Sequence, residues 1–265
     1  MKILVFCPTY YNKKKLAMFP ESKASLDALL APEGVTVDKL ISTDNPYKGG
    51  GHRNTLHQFQ QGRLKALEGG YDALVTFEHD MIVPADGLIK LWNTPEAVVY
   101  GLYVLRHGGA VVNAMRYVRN APHLDSSLTL YPDIYVKALH QGWIECSGVG
   151  FGFTLIRRPV LEMFEFHATD GNSYPPDWGL AADCQKAGIK SICRFDVQCG
   201  HIDPDLGTLW PSETAKVVCK VKALQFVVID GFEGHSIEMK PGKEYEIPAG
   251  RFMDLKRAGM VEEVE

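Results

Sequence analysis

The sequence predicts an α/β protein: three layers around a mostly parallel sheet, with a small β-rich module at the C-terminal end. Three observations carry this. Strand-like and helix-like patterns alternate through the first part of the chain. The runs Lys2–Cys7 and Asp72–Phe77 are almost continuously apolar, as expected of strands covered on both faces. From Val217 onward the pattern changes to short alternating stretches.

In chain order, Lys2–Cys7 reads as a strand, Lys23–Leu30 as a helix and Val35–Ser42 as a second strand. Leu56–Leu67 has helical spacing and stops at Gly69-Gly70. Asp72–Phe77 is a third strand, Leu88–Trp92 a helix and Ala97–Leu105 again β-rich. Arg106–Ile134 is irregular, and a stretch of that length inside a compact domain is a mark of function or motion. Regular signals return with the strand Gly152–Ile156, the helix Pro159–Phe164, and a helix from Asp177 to Ala187 closed by Gly188. Four short strands follow (Val217–Val221, Gln225–Ile229, Ser236–Met239, Glu244–Ile247), then a helix Arg251–Ala258 and a final strand Met260–Val264. The expected division is a main domain over 1–214 and a β-rich module over 215–265.

The chain has 265 residues, 46% hydrophobic, with net charge −4, enough for a large core. That charge offers no basic field for long nucleic acid. No apolar run reaches the roughly 20 residues of a bilayer span, and the expected location is cytoplasmic. The six cysteines are scattered without a CxxC pair, which argues against a zinc ribbon and for buried thiols.

Three places carry chemistry. Ala73–Phe77 runs straight into Glu78-His79-Asp80. In open α/β sheets ligands bind beyond the carboxyl ends of strands, and a carboxylate there can hold a divalent ion on a substrate's phosphates. An ordinary solvated strand end has the same look. Cys199-Gly200-His201-Ile202-Asp203 follows an apolar stretch; a lone His is ordinarily structural and becomes a ligand candidate only if the fold brings it to Asp80. Asp177 follows Pro175-Pro176 at a helix start. A first-turn acid there is favoured by the helix dipole alone; the alternative is a carboxylate facing an acceptor hydroxyl. Gly148-x-Gly150-x-Gly152 enters a strand and so is no dinucleotide fingerprint. Lys48-Gly49-Gly50-Gly51-His52 lacks the Lys-Ser/Thr of a P-loop and reads as a flexible loop.

Together these pieces resemble the GT-A glycosyltransferases, particularly family 2 and its relatives, over about residues 2–205. The carriers are Pro8-Thr9-Tyr10-Tyr11-Asn12, Asp44 after the second strand, Arg53-Asn54 before a helix, and Glu78-His79-Asp80 in place of Asp-x-Asp. They continue with the Gly-rich strand ending in Arg157-Arg158, Asp177-Trp178-Gly179-Leu180 with Gly188, and the late His201. The resemblance implies a hexosyltransferase-like enzyme using a UDP- or GDP-sugar, with Mn²⁺ or Mg²⁺ held by Asp80 and His201. Glu78 would lie near ribose or metal, with Pro8, Thr9, Tyr10, Asp44, Arg53 and His79 around the nucleotide. Asp177 would act on the acceptor, as base if the reaction inverts and as an orienting group if it retains. The Glu at position 78 and the loss of the acid before Asp177 depart from the family pattern. The acceptor is open: glycan, protein or small molecule. The C-terminal module, outside the resemblance, suits attachment or homo-oligomerisation. The competing expectations are an inactive sugar- or nucleotide-binding assembly protein on this scaffold, and a nucleotidyltransferase, for which the glycines of an N-terminal triphosphate loop are missing.

Overall fold

A computed structural model describes residues 1–9, 11–12, 15–16, 18–48, 51–104, 113, 115–116, 128–129, 142–146, 148, 150–168, 176–203, 207–211, 218–230, 236–248, 255 and 259–264. In chain order the strands are β1 (Lys2–Pro8), β2 (Tyr11–Asn12), β3 (Lys15–Leu16), β4 (Thr36–Ser42), β5 (Ala73–Phe77), β6 (Met81–Ile82) and β7 (Val98–Leu102). They continue as β8 (Met115–Arg116), β9 (Leu128–Thr129), β10 (Trp143–Cys146), β11 (Phe153–Arg157), β12 (Ser191–Gln198), β13 (Gly200–Asp203) and β14 (Gly207–Leu209). The last five are β15 (Val218–Ala223), β16 (Val227–Asp230), β17 (Ser236–Met239), β18 (Glu244–Pro248) and β19 (Val261–Glu263). The helices are α1 (Pro20–Ala28), α2 (Gly51–Glu68), α3 (Gly87–Trp92), α4 (Arg158–Met163) and α5 (Pro176–Lys186).

Seven strands form the central sheet in the order β10-β12-β7-β11-β5-β1-β4. β4, β1, β5, β7 and β12 run parallel, while β11 inserts antiparallel between β5 and β7 and β10 pairs antiparallel at the edge. The fold class is therefore the one the sequence predicts, α/β with a mostly parallel sheet. β1, β5 and β7 read as apolar runs because both faces are covered. Phe6 stands level with Thr76, and Phe153 with Phe77, so Phe6 and Phe153 face opposite sides of the sheet. α2 lies over Phe6, so closely that a Cβ on Gly62 would meet its ring at 2.8 Å. α3 lies over Phe153 on the other side. Hence the three layers.

One expected element starts earlier than the sequence suggests, and one strand was not expected at all. α2 begins at Gly51, so Gly51, His52 and the Arg53-Asn54 pair belong to its first turn, not to a preceding loop. Asn54 explains it: its side chain accepts from Tyr47 N (2.9 Å) and donates to Tyr47 O (2.8 Å), fixing the chain's entry to the helix. The edge strand β10 carries no continuous apolar run and exists through its pairing with β12. Most of Arg106–Ile134, and all of Arg251–Ala258 except Leu255, lie outside the described residues.

β15 pairs with β18 and β19, and β16 with β17, all antiparallel. These strands enclose their own apolar cluster of Val221, Ala223, Met239, Ile247, Leu255 and Val261. The cluster beneath the central sheet contains none of them.

Candidate active site

Because the five parallel strands run the same way, their carboxyl ends open on one edge of the sheet. The chain leaves β1 by α1 to reach β4 on one side, then returns by α2 to β5 on the other. Such a reversal leaves a crevice beyond the ends of β1 and β5, where open α/β sheets bind ligands. Pro8 and Thr9 follow β1, Asp44 follows β4, Glu78-His79-Asp80 follow β5, and His201 follows β12 at that same edge. β11 runs the other way, so Gly150 and Gly152 before it also stand there.

On the β1–β4 side a network of amides builds a floor. Gln58, fully buried on α2, accepts from Thr9 N (3.3 Å) and donates to Thr9 O (3.0 Å) and Asn45 Oδ1 (2.9 Å). Asn45 donates to the same Thr9 carbonyl (2.9 Å), and Thr9 Oγ1 donates to Ser42 O (2.7 Å). Asp44 projects above this floor, exposed, bonded through Oδ2 to His57 Nε2 at 2.8 Å, and Tyr47 meets the His57 ring edge-on. Pro8 is buried; Arg53 is exposed on the first turn of α2. Tyr10 lies outside the described residues. Gln58, Asn45 and His57 carry no motif of their own, and only the fold reveals them.

On the β5 side a second, short sheet does the positioning. β13 pairs with β6, setting His201 opposite Met81, and Ile202 N donates to Asp80 O at 2.8 Å. The fold thus brings His201 to Asp80: Nε2 stands 3.6 Å from Asp80 Oδ2, both residues being buried. His201 Nδ1 lies 2.7 Å from the Val104 carbonyl. A carbonyl only accepts, so Nδ1 carries a proton, and Nε2 is the ring nitrogen that faces Asp80. That is how a metal-binding imidazole is held from behind. Glu78 is half-buried, its N–H bonded to Gly152 O (2.9 Å). His79 stacks on Phe19 at 6.3 Å, turned toward the start of α1. Asp203, 1% exposed, shares the His201 face of β13.

Electrostatics agree with a cation seat. The Cys7 thiol, at the end of β1, is pushed up by burial first and then by the charges of Glu78 and Asp80. Those carboxylates therefore make the crevice negative. Among the described residues no group of three or more His, Cys, Asp or Glu side chains is placed to hold a metal ion. A hard divalent ion does not require such a group when substrate phosphates complete its shell.

Asp177 sits in the first turn of α5 and serves two purposes at once. Oδ1 accepts from Trp178 N at 3.0 Å, the local role of a first-turn acid. Oδ2 points at Gly150, where an added Cβ would lie 3.0 Å away. Burial raises the carboxyl from 3.8 to about 6, against backbone N–H groups of Trp178, Asp177 and Phe151 that pull it down. A carboxylate of that basicity suits proton abstraction near neutral pH.

No protein-family model matches the chain, and no curated protein matches it in sequence. Among solved structures it is similar to protein A197 from STIV, at TM-score 0.49 and 16% identity over 80% of this chain and 91% of that one. It is also similar to the catalytic domain of Drosophila beta1,4galactosyltransferase 7 in complex with xylobiose (TM-score 0.42, 14% identity, 93% and 94% covered). A third is UDP-glucose pyrophosphorylase complexed with UDP-glucose (TM-score 0.40, 9% identity, 76% and 93% covered). These likenesses concern the path of the chain and are too distant to bear on its chemistry.

Proposed function

We propose that the chain is a metal-dependent glycosyltransferase that moves a hexosyl group from a UDP- or GDP-sugar to a hydroxyl acceptor. The observation that supports this best is the His201–Asp80 arrangement. Two buried ligand atoms stand 3.6 Å apart, with the imidazole's other nitrogen already committed to Val104. Asp80 and His201 would hold Mn²⁺ or Mg²⁺, with Glu78 beside the ion or the ribose. When bound, the ion neutralises charge on the departing diphosphate.

The chain's own residues do the rest. Thr9, Asp44 and the Gln58–Asn45 floor seat the nucleoside, with Pro8, Tyr10, Arg53 and His79 around it. Asp177, pinned through Oδ1, keeps Oδ2 for the acceptor hydroxyl. In an inverting transfer it takes that proton; in a retaining one it orients the hydroxyl. We assign catalysis to residues 1–214 and attachment or self-association to residues 215–265. Among the described residues no helix is long and apolar enough to cross a membrane.

The test is calorimetric titration of UDP and GDP, with and without Mn²⁺, into the wild type and Asp80→Ala. Mn²⁺-dependent binding of one nucleotide, abolished in the variant, supports the transferase and identifies its donor base. Binding of neither nucleotide under any metal condition overturns it and leaves a non-enzymatic protein on this scaffold.

A further inference from the structure

The glycines at 148, 150 and 152 have no phosphate-binding geometry, and their use shows in what fills their missing side chains. A Cβ on Gly150 would lie 2.1 Å from the Tyr103 hydroxyl, and one on Gly152 2.6 Å from Tyr103 Cε1. One on Gly148 would meet the Ala181 Cβ of α5 at 2.5 Å. The run is a seat for a single aromatic ring, with α5 and its Asp177 drawn against the same surface.

Tyr103 is 3% exposed just beyond β7. Its ring meets His201 edge-on, centroids 5.4 Å apart and planes at 88°. Its hydroxyl accepts from Gly152 N at 3.4 Å. Asn113 locks its backbone both ways, with Tyr103 N to Asn113 Oδ1 at 3.0 Å and Asn113 N to Tyr103 O at 2.9 Å. The phenol lies within the fields of Glu78 and Asp177, whose charges add to burial in keeping it protonated. One side chain therefore touches the candidate metal-binding histidine and the turn beneath the candidate base.

We propose that Tyr103 is a positioning residue joining the two halves of the cleft: its ring sets the plane of His201 beside Asp80, and its hydroxyl sets the Gly150–Gly152 turn against which Asp177 rests. The chemistry it serves rests on the transferase reading; the geometry does not. A hydrogen bond at Nδ1 alone lets an imidazole pivot about it, and a perpendicular ring in contact removes that freedom. A displaced turn moves Asp177 relative to the acceptor, and small misplacements of reacting groups are costly.

Two variants separate ring from hydroxyl. Tyr103→Phe keeps the ring and Tyr103→Leu removes both. ¹⁵N NMR of the imidazoles, with the His201 signal identified by its loss in His201→Gln, needs neither metal nor turnover. The wild type and Tyr103→Phe should show the single Nδ1-protonated form, and Tyr103→Leu a mixture of tautomers. Mn²⁺ affinity should hold within about twofold in Tyr103→Phe and fall about tenfold in Tyr103→Leu, the effect of losing an outer-shell support. Tyr103→Phe should lower kcat about tenfold with KM unchanged. A folded Tyr103→Leu with wild-type His201 tautomer and Mn²⁺ affinity, or a Tyr103→Phe with wild-type kcat, overturns the proposal. If Tyr103→Leu does not fold, Gly152→Ala, whose Cβ would press on the Tyr103 ring at 2.6 Å with no Asp177 atom beside it, must reproduce the mixture of His201 tautomers, and the wild-type tautomer there overturns it. If the wild type binds neither Mn²⁺ nor nucleotide while Tyr103→Leu still frees the His201 tautomer, the positioning role stands and the transferase falls.

Discussion

Two histidine–aspartate pairs stand at the same edge of the sheet and are built in opposite ways. His57 and Asp44 are 2.8 Å apart, with side chains 24% and 62% exposed. His201 and Asp80 are 3.6 Å apart, at 6% and 1%. The outer pair is a direct bond in water, a contact that contributes about 0–1 kcal/mol. The inner pair holds a carboxylate where charge is costly, yet keeps the imidazole beyond bonding distance of it. The difference is one of exposure and spacing, and on the proposed function it becomes one of purpose: the outer pair would orient a carboxylate toward the nucleoside, and the inner one would hold the cation.

The largest effect is expected at Asp177, which belongs to neither pair. Asp177→Asn should lower kcat by about 10²–10⁴, the range for losing a general base, with nucleotide and Mn²⁺ affinity unchanged. Its pH dependence has a definite sign. Because the folded-state carboxyl is raised from 3.8 to about 6, the native chain holds a proton that the unfolded chain has released between those values. Stability falls as pH rises through that window, so Asp177→Asn should melt above the wild type at neutral pH and lose the advantage below about pH 4. With Asp177 in the proposed role of base, turnover should rise through about pH 6. Next comes the inner pair. Asp80→Ala should weaken Mn²⁺ by at least about a hundredfold in calorimetry, a ligand loss exceeding the 10–100-fold of outer-shell changes.

The sequence showed the parts of this site that sit on apolar strands and little of what connects them. Phe77 into Glu78-His79-Asp80 was legible because a buried strand ending in acids breaks its own pattern. His201 was visible as a residue but not as a neighbour of Asp80. That proximity depends on β13 pairing with the two-residue β6, too short for any periodicity to register. The first turn of α2 was hidden because His52, Arg53, Asn54 and Thr55 are polar, and Asn54 starts the helix by gripping Tyr47. β10 was hidden because an edge strand with exposed Trp143 and Glu145 needs no apolar run. The glycines at 148, 150 and 152 could be read as unsuited to phosphate, but the Tyr103 ring that Gly150 and Gly152 admit is far upstream in the chain, beyond any local signal.

The outer pair gives the smallest effects and the sharpest contrast. Asp44→Ala should leave Mn²⁺ affinity untouched and weaken the nucleotide by about tenfold, the low end for a hydrogen bond to a charged group. If it weakens Mn²⁺ as Asp80→Ala does, the two pairs are not distinct in purpose and the comparison fails. His57→Gln goes further, removing the imidazole and leaving Asp44 in place. Since the pair is solvent-screened, its loss should change unfolding free energy by less than about 0.5 kcal/mol in urea titrations. Nucleotide affinity should nevertheless drop several-fold, because a carboxylate freed from its partner must be ordered again on binding. A variant destabilised by several kcal/mol would show instead that His57 is a structural support for α2. An unchanged nucleotide affinity would show that Asp44 needs no orienting partner.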